Sequence, residues 1–208
     1  MTALLLKDFM TIQRQIKSQA SFLIIILFMA IFMQKGSLLL AVIVFIVTIQ
    51  ATTAITYDEH SNWDKYANTL PISKGDIVLS KYMLSFLLMI IGLVIALPIV
   101  FLMNHFTNNL ASAEFFLTFN LTVVLSFCIL ALLIPIYIKF GAIKGRIALF
   151  ALCFIPGFLF GLLKEYFPDM TLTLSNLKQY MFLAPFAGLL ILWLSSLIST
   201  AIYQRKEF

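Results

Sequence analysis

Tyr57-Asp58-Glu59-His60-Ser61-Asn62-Trp63-Asp64-Lys65-Tyr66-Ala67-Asn68-Thr69-Leu70-Pro71-Ile72-Ser73 is the one strongly polar and aromatic run wedged between two long apolar stretches. Those flanks decide the fold class. Apolar residues fill 62% of the 208 positions, 11% are charged and the mean hydropathy is +1.04, whereas a soluble domain carries about a quarter charged residues. A chain this short cannot enclose so much apolar surface in a core, so lipid is the solvent for most of it. The alternating strand pattern of a barrel is absent, and the expectation is an all-α integral membrane protein.

Six apolar runs compare with the ~20 residues needed to cross ~30 Å of hydrocarbon. They lie at about Ala20 to Met33, Ser37 to Tyr57, Met83 to Met103, Phe115 to Ile138, Ile147 to Leu163 and Met181 to Tyr203. The first is short and turns into the second through Gln34, Lys35 and Gly36. It either draws on residues before Ala20 or thins the bilayer locally. Residues 1–19 are no signal peptide, because Leu5, Phe9, Ile12 and Ile16 recur at helical spacing opposite Lys7, Arg14, Gln15 and Lys17. They predict an amphipathic helix lying on the inner leaflet, with a plain extension of the first span as the alternative. The expected organisation is therefore that helix at 1–19, then a six-helix transmembrane domain at 20–208 whose polar loop occupies 58–82.

Orientation follows from Lys and Arg. With both termini cytoplasmic, the inner segments hold Lys7, Arg14, Lys17, Lys65, Lys74, Lys81, Lys139, Lys144, Arg146, Arg205 and Lys206, against Lys35, Lys164 and Lys178 outside. Topology and anionic lipid thus account for the net charge of +5. No basic stripe with interleaved aromatics points to nucleic acid.

Within the polar loop, Ser61 and Asp64 have capping-box spacing, and Trp63, Tyr66 and Leu70 follow on one face, which predicts a short helix over Asn62 to Thr69 ended by Pro71. Ser73 with Asp76 repeats the start signal ahead of the third span, with Gly75 in its first turn. Two roles fit the loop. Trp63, Tyr57, Tyr66 and Tyr82 suit anchoring at headgroup level; carboxylates at Asp58, Glu59 and Asp64 beside aromatics suit a partner pocket rimmed by Arg or Lys.

Chemistry of other kinds finds little support. A proton relay or intramembrane enzyme keeps Asp, Glu or His inside a span, and these boundaries leave none there. Asp58, Glu59 and His60 with Asp64 offer one imidazole among solvated carboxylates, so no metal is expected. Cys128 and Cys153 sit inside spans as packing residues. Gly141-Ala142-Ile143-Lys144-Gly145-Arg146 lacks the glycine spacing and the hydroxyl of a phosphate-cradling loop.

The acidic pair, the short helix, Leu70-Pro71-Ile72-Ser73, Ile77 and Ser80-Lys81 at the mouth of the third span together resemble the corresponding loop of ABC-2 type permeases. The chain is most similar to compact six-span bacterial permeases, including the membrane subunits of the phenol-soluble-modulin peptide exporter. That resemblance implies a coupling helix seated in a groove of a separate ABC ATP-binding subunit, with Asp58, Glu59, Trp63, Asp64, Tyr66, Leu70 and Pro71 as contacts. It implies a second inner contact at Phe140, Lys144 and Arg146, a second permease copy (identical or related), and ATP and Mg held by the partner, with no cofactor in this chain.

A translocation path would rest on weakly polar residues: Thr48, Thr52 and Thr56 on the second span, beside Gln50 and Thr53, and Ser195 and Ser199, with Ser196 and Thr200, on the sixth. Such hydroxyls, like the Gly157 and Gly161 pair, also serve to pack helices together. Pro98, Pro135, Pro156 and Pro185 allow kinks. Walls of this kind favour an amphipathic or hydrophobic cargo, peptides included, over an inorganic ion. The residues leave a second class open, a membrane scaffold or sensor that recruits a cytoplasmic protein without transport.

Overall fold

A backbone in lipid must satisfy its own N–H and C=O groups, so long apolar runs become helices. The computed structural model describes residues 2–13, 24, 28, 36–107, 112–166 and 183–206. Its helices are α1 (Thr2–Gln13), α2 (Gly36–His60), α3 (Trp63–Ala67), α4 (Lys74–Thr107), α5 (Ser112–Tyr166) and α6 (Ala184–Gln204). Among the described residues, Leu39–His60, Lys74–Met103, Phe115–Ile155 and Ala184–Gln204 are long and apolar enough to cross a membrane. The second, third and sixth expected spans fall in α2, α4 and α6, while the first lies outside the described residues apart from positions 24 and 28.

Helix α5 departs from expectation. Its 55 residues would run about 82 Å if straight, far more than one ~30 Å crossing. The helical conformation breaks only at Gly141 (φ 81, ψ 178), so the expected loop from Lys139 to Arg146 is a one-residue break. The break is sharp. Residues eight apart in a straight helix are separated by about 12 Å along its axis, yet a Cβ on Gly145 would stand 2.6 Å from the Tyr137 ring. Pro135 leaves its surroundings helical, and Pro185 opens α6 in its first turn where no N–H is missed. The side chains of Pro156, Gly157 and Gly161 lie outside those described.

Helix α2 is the centre of the bundle, with 61% of its apolar window buried against 33% for α4 and for α6. It packs on α4 and α5, and α6 closes the bundle against both of these. Leu39, Leu40, Val44, Ala51 and Ala54 are fully enclosed. Opposite them, Gly92 of α4 approaches so closely that a Cβ would meet the Val44 Cα at 3.2 Å. Close backbone approach of this kind holds helices together where lipid removes the hydrophobic driving force. Val94, Phe101, Trp193 and Ile198 point outward, as a lipid-facing surface requires.

Helix α1 packs against α4 and α2. Its buried stripe is Leu4, Asp8 and Ile12, with Leu6, Phe9 and Met10 facing away. The stripe is thus rotated from the expected Leu5, Phe9 and Ile12 face, because a carboxylate at its centre is drawn inward.

Candidate functional site at the charged end of the bundle

Asp8 is held by Lys81. The Lys81 ammonium donates to both Asp8 oxygens, at 2.8 and 2.7 Å, and to Asp58 Oδ2; Lys7 donates to Asp58 Oδ1 at 2.6 Å and lies 3.0 Å from Asp8. Three of the four groups are buried, with Asp8 1%, Lys81 6% and Asp58 7% exposed. Two ammonium and two carboxylate groups cancel, which is the condition for burying charge at tolerable cost. Asp58 sits in the last turn of α2, where the helix dipole disfavours a carboxylate. Its two ammonium partners offset that. The cluster ties α1 to the end of α2 and the start of α4, and neither Asp8 nor Lys81 stands out by spacing or hydropathy.

The neighbouring carboxylates also have partners within the protein, although Glu59 itself is exposed. Glu59 Oε2 accepts the backbone N–H of Ala142 at 2.6 Å, capping the half of α5 that begins after the Gly141 break, where negative charge is favoured. A Cβ at Gly141 would stand 2.7 Å from Glu59 Oε1, and its φ of 81° suits glycine besides. Asp64 Oδ1 accepts from the Tyr203 hydroxyl at 3.1 Å, joining α3 to the end of α6. The carboxylates that sequence alone sets against a partner are thus engaged within the chain. Under α3 they line a cavity of about 40 Å³ together with Lys81, Tyr137 and Tyr203, room enough for water.

Helix α3 is shorter than expected. Its Asn62 N-cap lies at φ 52° and makes no side-chain cap, while the Ser61 hydroxyl donates back to the Asp58 carbonyl at 3.3 Å. The capping box read from Ser61 and Asp64 therefore does not form. The second one does: Asp76 N–H donates to Ser73 Oγ at 3.0 Å, and that hydroxyl donates to Asp76 Oδ2 at 2.7 Å, starting α4 at Lys74. Trp63 is half-buried under the Lys7 ammonium, 4.1 Å from its ring centroid. Tyr66, 5.3 Å from Trp63 ring to ring, is 57% exposed. Leu70 is half-buried and Pro71 exposed. At the break in α5, Phe140, Lys144 and Arg146 are exposed, with the Lys139 and Lys144 ammonium groups 5.0 and 5.7 Å from the Phe140 ring.

The hydroxyls named for a path are occupied. Thr48, Thr52 and Thr56 donate to the carbonyls of Val44, Ile49 and Thr52 in their own helix. Ser195 and Ser199 each lie 2.7 Å from the Tyr82 hydroxyl, and Ser195 donates to the Ala131 carbonyl, so α4, α5 and α6 are clipped together. Gln50 Oε1 is buried without a hydrogen-bond partner, alone in this among the described side chains.

A family model of ABC-2 family transporter proteins matches residues 3–204, nearly the whole chain, and the chain belongs to that family. It is therefore a membrane component of an ABC transporter, in a family whose permeases lack an ATPase site of their own. No curated protein and no solved structure matches.

Proposed function

We propose that this chain is the permease subunit of an exporter at the cell membrane. It crosses the bilayer six times with both termini inside, α5 supplying two crossings on either side of Gly141. A separate ATP-binding subunit docks on α3 and on the exposed turn at Phe140, Lys144 and Arg146, and hydrolyses ATP with Mg there. Two permeases and two such subunits form the working unit. The cargo is amphipathic or hydrophobic, peptides among the candidates.

The observation that carries this reading is the anchoring of α3. A five-residue helix has no stability of its own; here Lys7 covers Trp63 and Tyr203 holds Asp64, which leaves Tyr66 projecting from a fixed base. A push on Tyr66 is thereby delivered to α1 and α6. Replacing Tyr66 with Ala removes an exposed aromatic anchor, worth about 2 kcal/mol at a hot spot, or roughly a thirtyfold loss of affinity. Recovery of the ATP-binding subunit by Tyr66→Ala should fall accordingly at equal membrane abundance and unchanged Tm. Full recovery would remove α3 as the docking element and favour a scaffold that binds elsewhere.

A further inference from the structure

The exposed charge at this end of the bundle is mainly positive, with Glu59 the one exposed carboxylate among the described residues. Asp8 and Asp58 are buried against Lys7 and Lys81, Glu59 caps Ala142, Asp64 holds Tyr203, and Asp76 caps its own helix with Ser73. Lys65, Lys139, Lys144, Arg146 and Arg205 remain exposed. Apolar side chains that water alone would not favour are exposed as well, Phe140 at 49%, Ile143 at 79% and Tyr66 at 57%.

We propose that the surface formed by Tyr66, Phe140, Ile143, Lys139, Lys144 and Arg146 docks a groove of the ATP-binding subunit that is apolar at its floor and acidic at its rim. The inference rests on the docking reading above and adds the chemistry of the partner. An apolar centre ringed by charge is the anatomy of a protein interface, and opposite potentials steer the encounter and set its register. A lysine at a lipid interface lays its stem along apolar surface and carries its ammonium out toward the headgroups. Here both Lys139 and Lys144 lie over the Phe140 ring, which builds a raised apolar knob with a cationic edge. The Glu59 to Ala142 bond fixes that knob against the end of α2, from which the chain turns into α3.

The test uses the full permease co-expressed with its P-loop ATPase. A p-benzoylphenylalanine at position 143, photoactivated in intact membranes, should cross-link a peptide of that ATPase flanked by Asp or Glu. The exposed charges are then reversed in Lys139→Glu/Lys144→Glu/Arg146→Glu, with the Gln triple variant as the milder control for folding. At equal abundance, ATPase recovery should fall at least about tenfold in the Glu variant, less in the Gln variant, and with added salt in the wild type. Undiminished recovery by the Glu variant, while Tyr66→Ala still loses the ATPase, overturns the acidic groove and leaves the docking reading standing. Cross-links to lipid alone, or to a Lys/Arg-rich peptide, overturn it as well. Failure of the wild type to recover any ATPase removes both readings together.

Discussion

Lys81 shows what a single side chain carries in this fold. Its ammonium is shared by Asp8, 73 positions away in sequence, and by Asp58. Lys81→Met would leave two buried carboxylates to one ammonium, a loss of about 3–5 kcal/mol for breaking a buried pair. Adding Asp8→Asn restores neutrality through Lys7 and Asp58, so the double variant should unfold at a higher Tm than the sum of the two single effects predicts, with a coupling of about 1–3 kcal/mol. Thermal unfolding of the four proteins in one detergent measures it, and strict additivity would mean that the cluster does not act as a unit. Nothing in the sequence announced this pairing. Hydropathy counts Asp8, Asp58 and Lys81 as solvent-seeking, and the partners of a tertiary ion pair have no characteristic spacing. The internal partners of Glu59 and Asp64 were equally hidden, since a helix N-terminus and a tyrosine hydroxyl far along the chain supply them.

At the scale of elements, the legible parts were those in which one physical requirement dominates. The ~20-residue length of a membrane crossing marks α2, α4 and α6, and Ser73 with Asp76 marks the start of α4 because both groups of that cap lie close in sequence. The turn within α5 falls in the stretch from Lys139 to Arg146 that separates two expected spans, but hydropathy does not show that the helix breaks at one residue only, since charged residues interrupt a hydropathy run whether or not the helix does. What the break needs is one residue at φ 81°, ψ 178°, a region essentially reserved for glycine, where other residues incur strain of order 1–3 kcal/mol. Gly141→Ala should therefore destabilise the protein by about that amount, with the Glu59 carboxylate adding a clash. Gly145→Ala meets a movable Tyr137 ring without such a backbone demand, and serves as the comparison. Equal stability of Gly141→Ala and wild type in chemical denaturation would show that the backbone at this point is not constrained as described.

For the whole molecule, the exposed cations and the ion-pair cluster gather where α1, α3 and the ends of α2 and α6 meet, with Lys7, Asp64, Tyr203 and Glu59 making the links. The proposed orientation, which rests on charge bias, has that end in the cytoplasm and can be tested directly. With Cys128 and Cys153 replaced, single cysteines at Asn108 and Asp169 should react with an impermeant thiol reagent added outside, and those at Lys65 and Lys144 should not; labelling at Lys65 from outside would invert the topology. The neutrality of the Lys7, Asp8, Asp58 and Lys81 cluster has an electrical side. One elementary charge carried across the bilayer exchanges about 2.3 kcal/mol with each 100 mV of membrane potential. Two positive and two negative groups travelling together carry no gating charge, so a stroke that moves this cluster as a block draws nothing through it from the membrane potential, energised or depolarised.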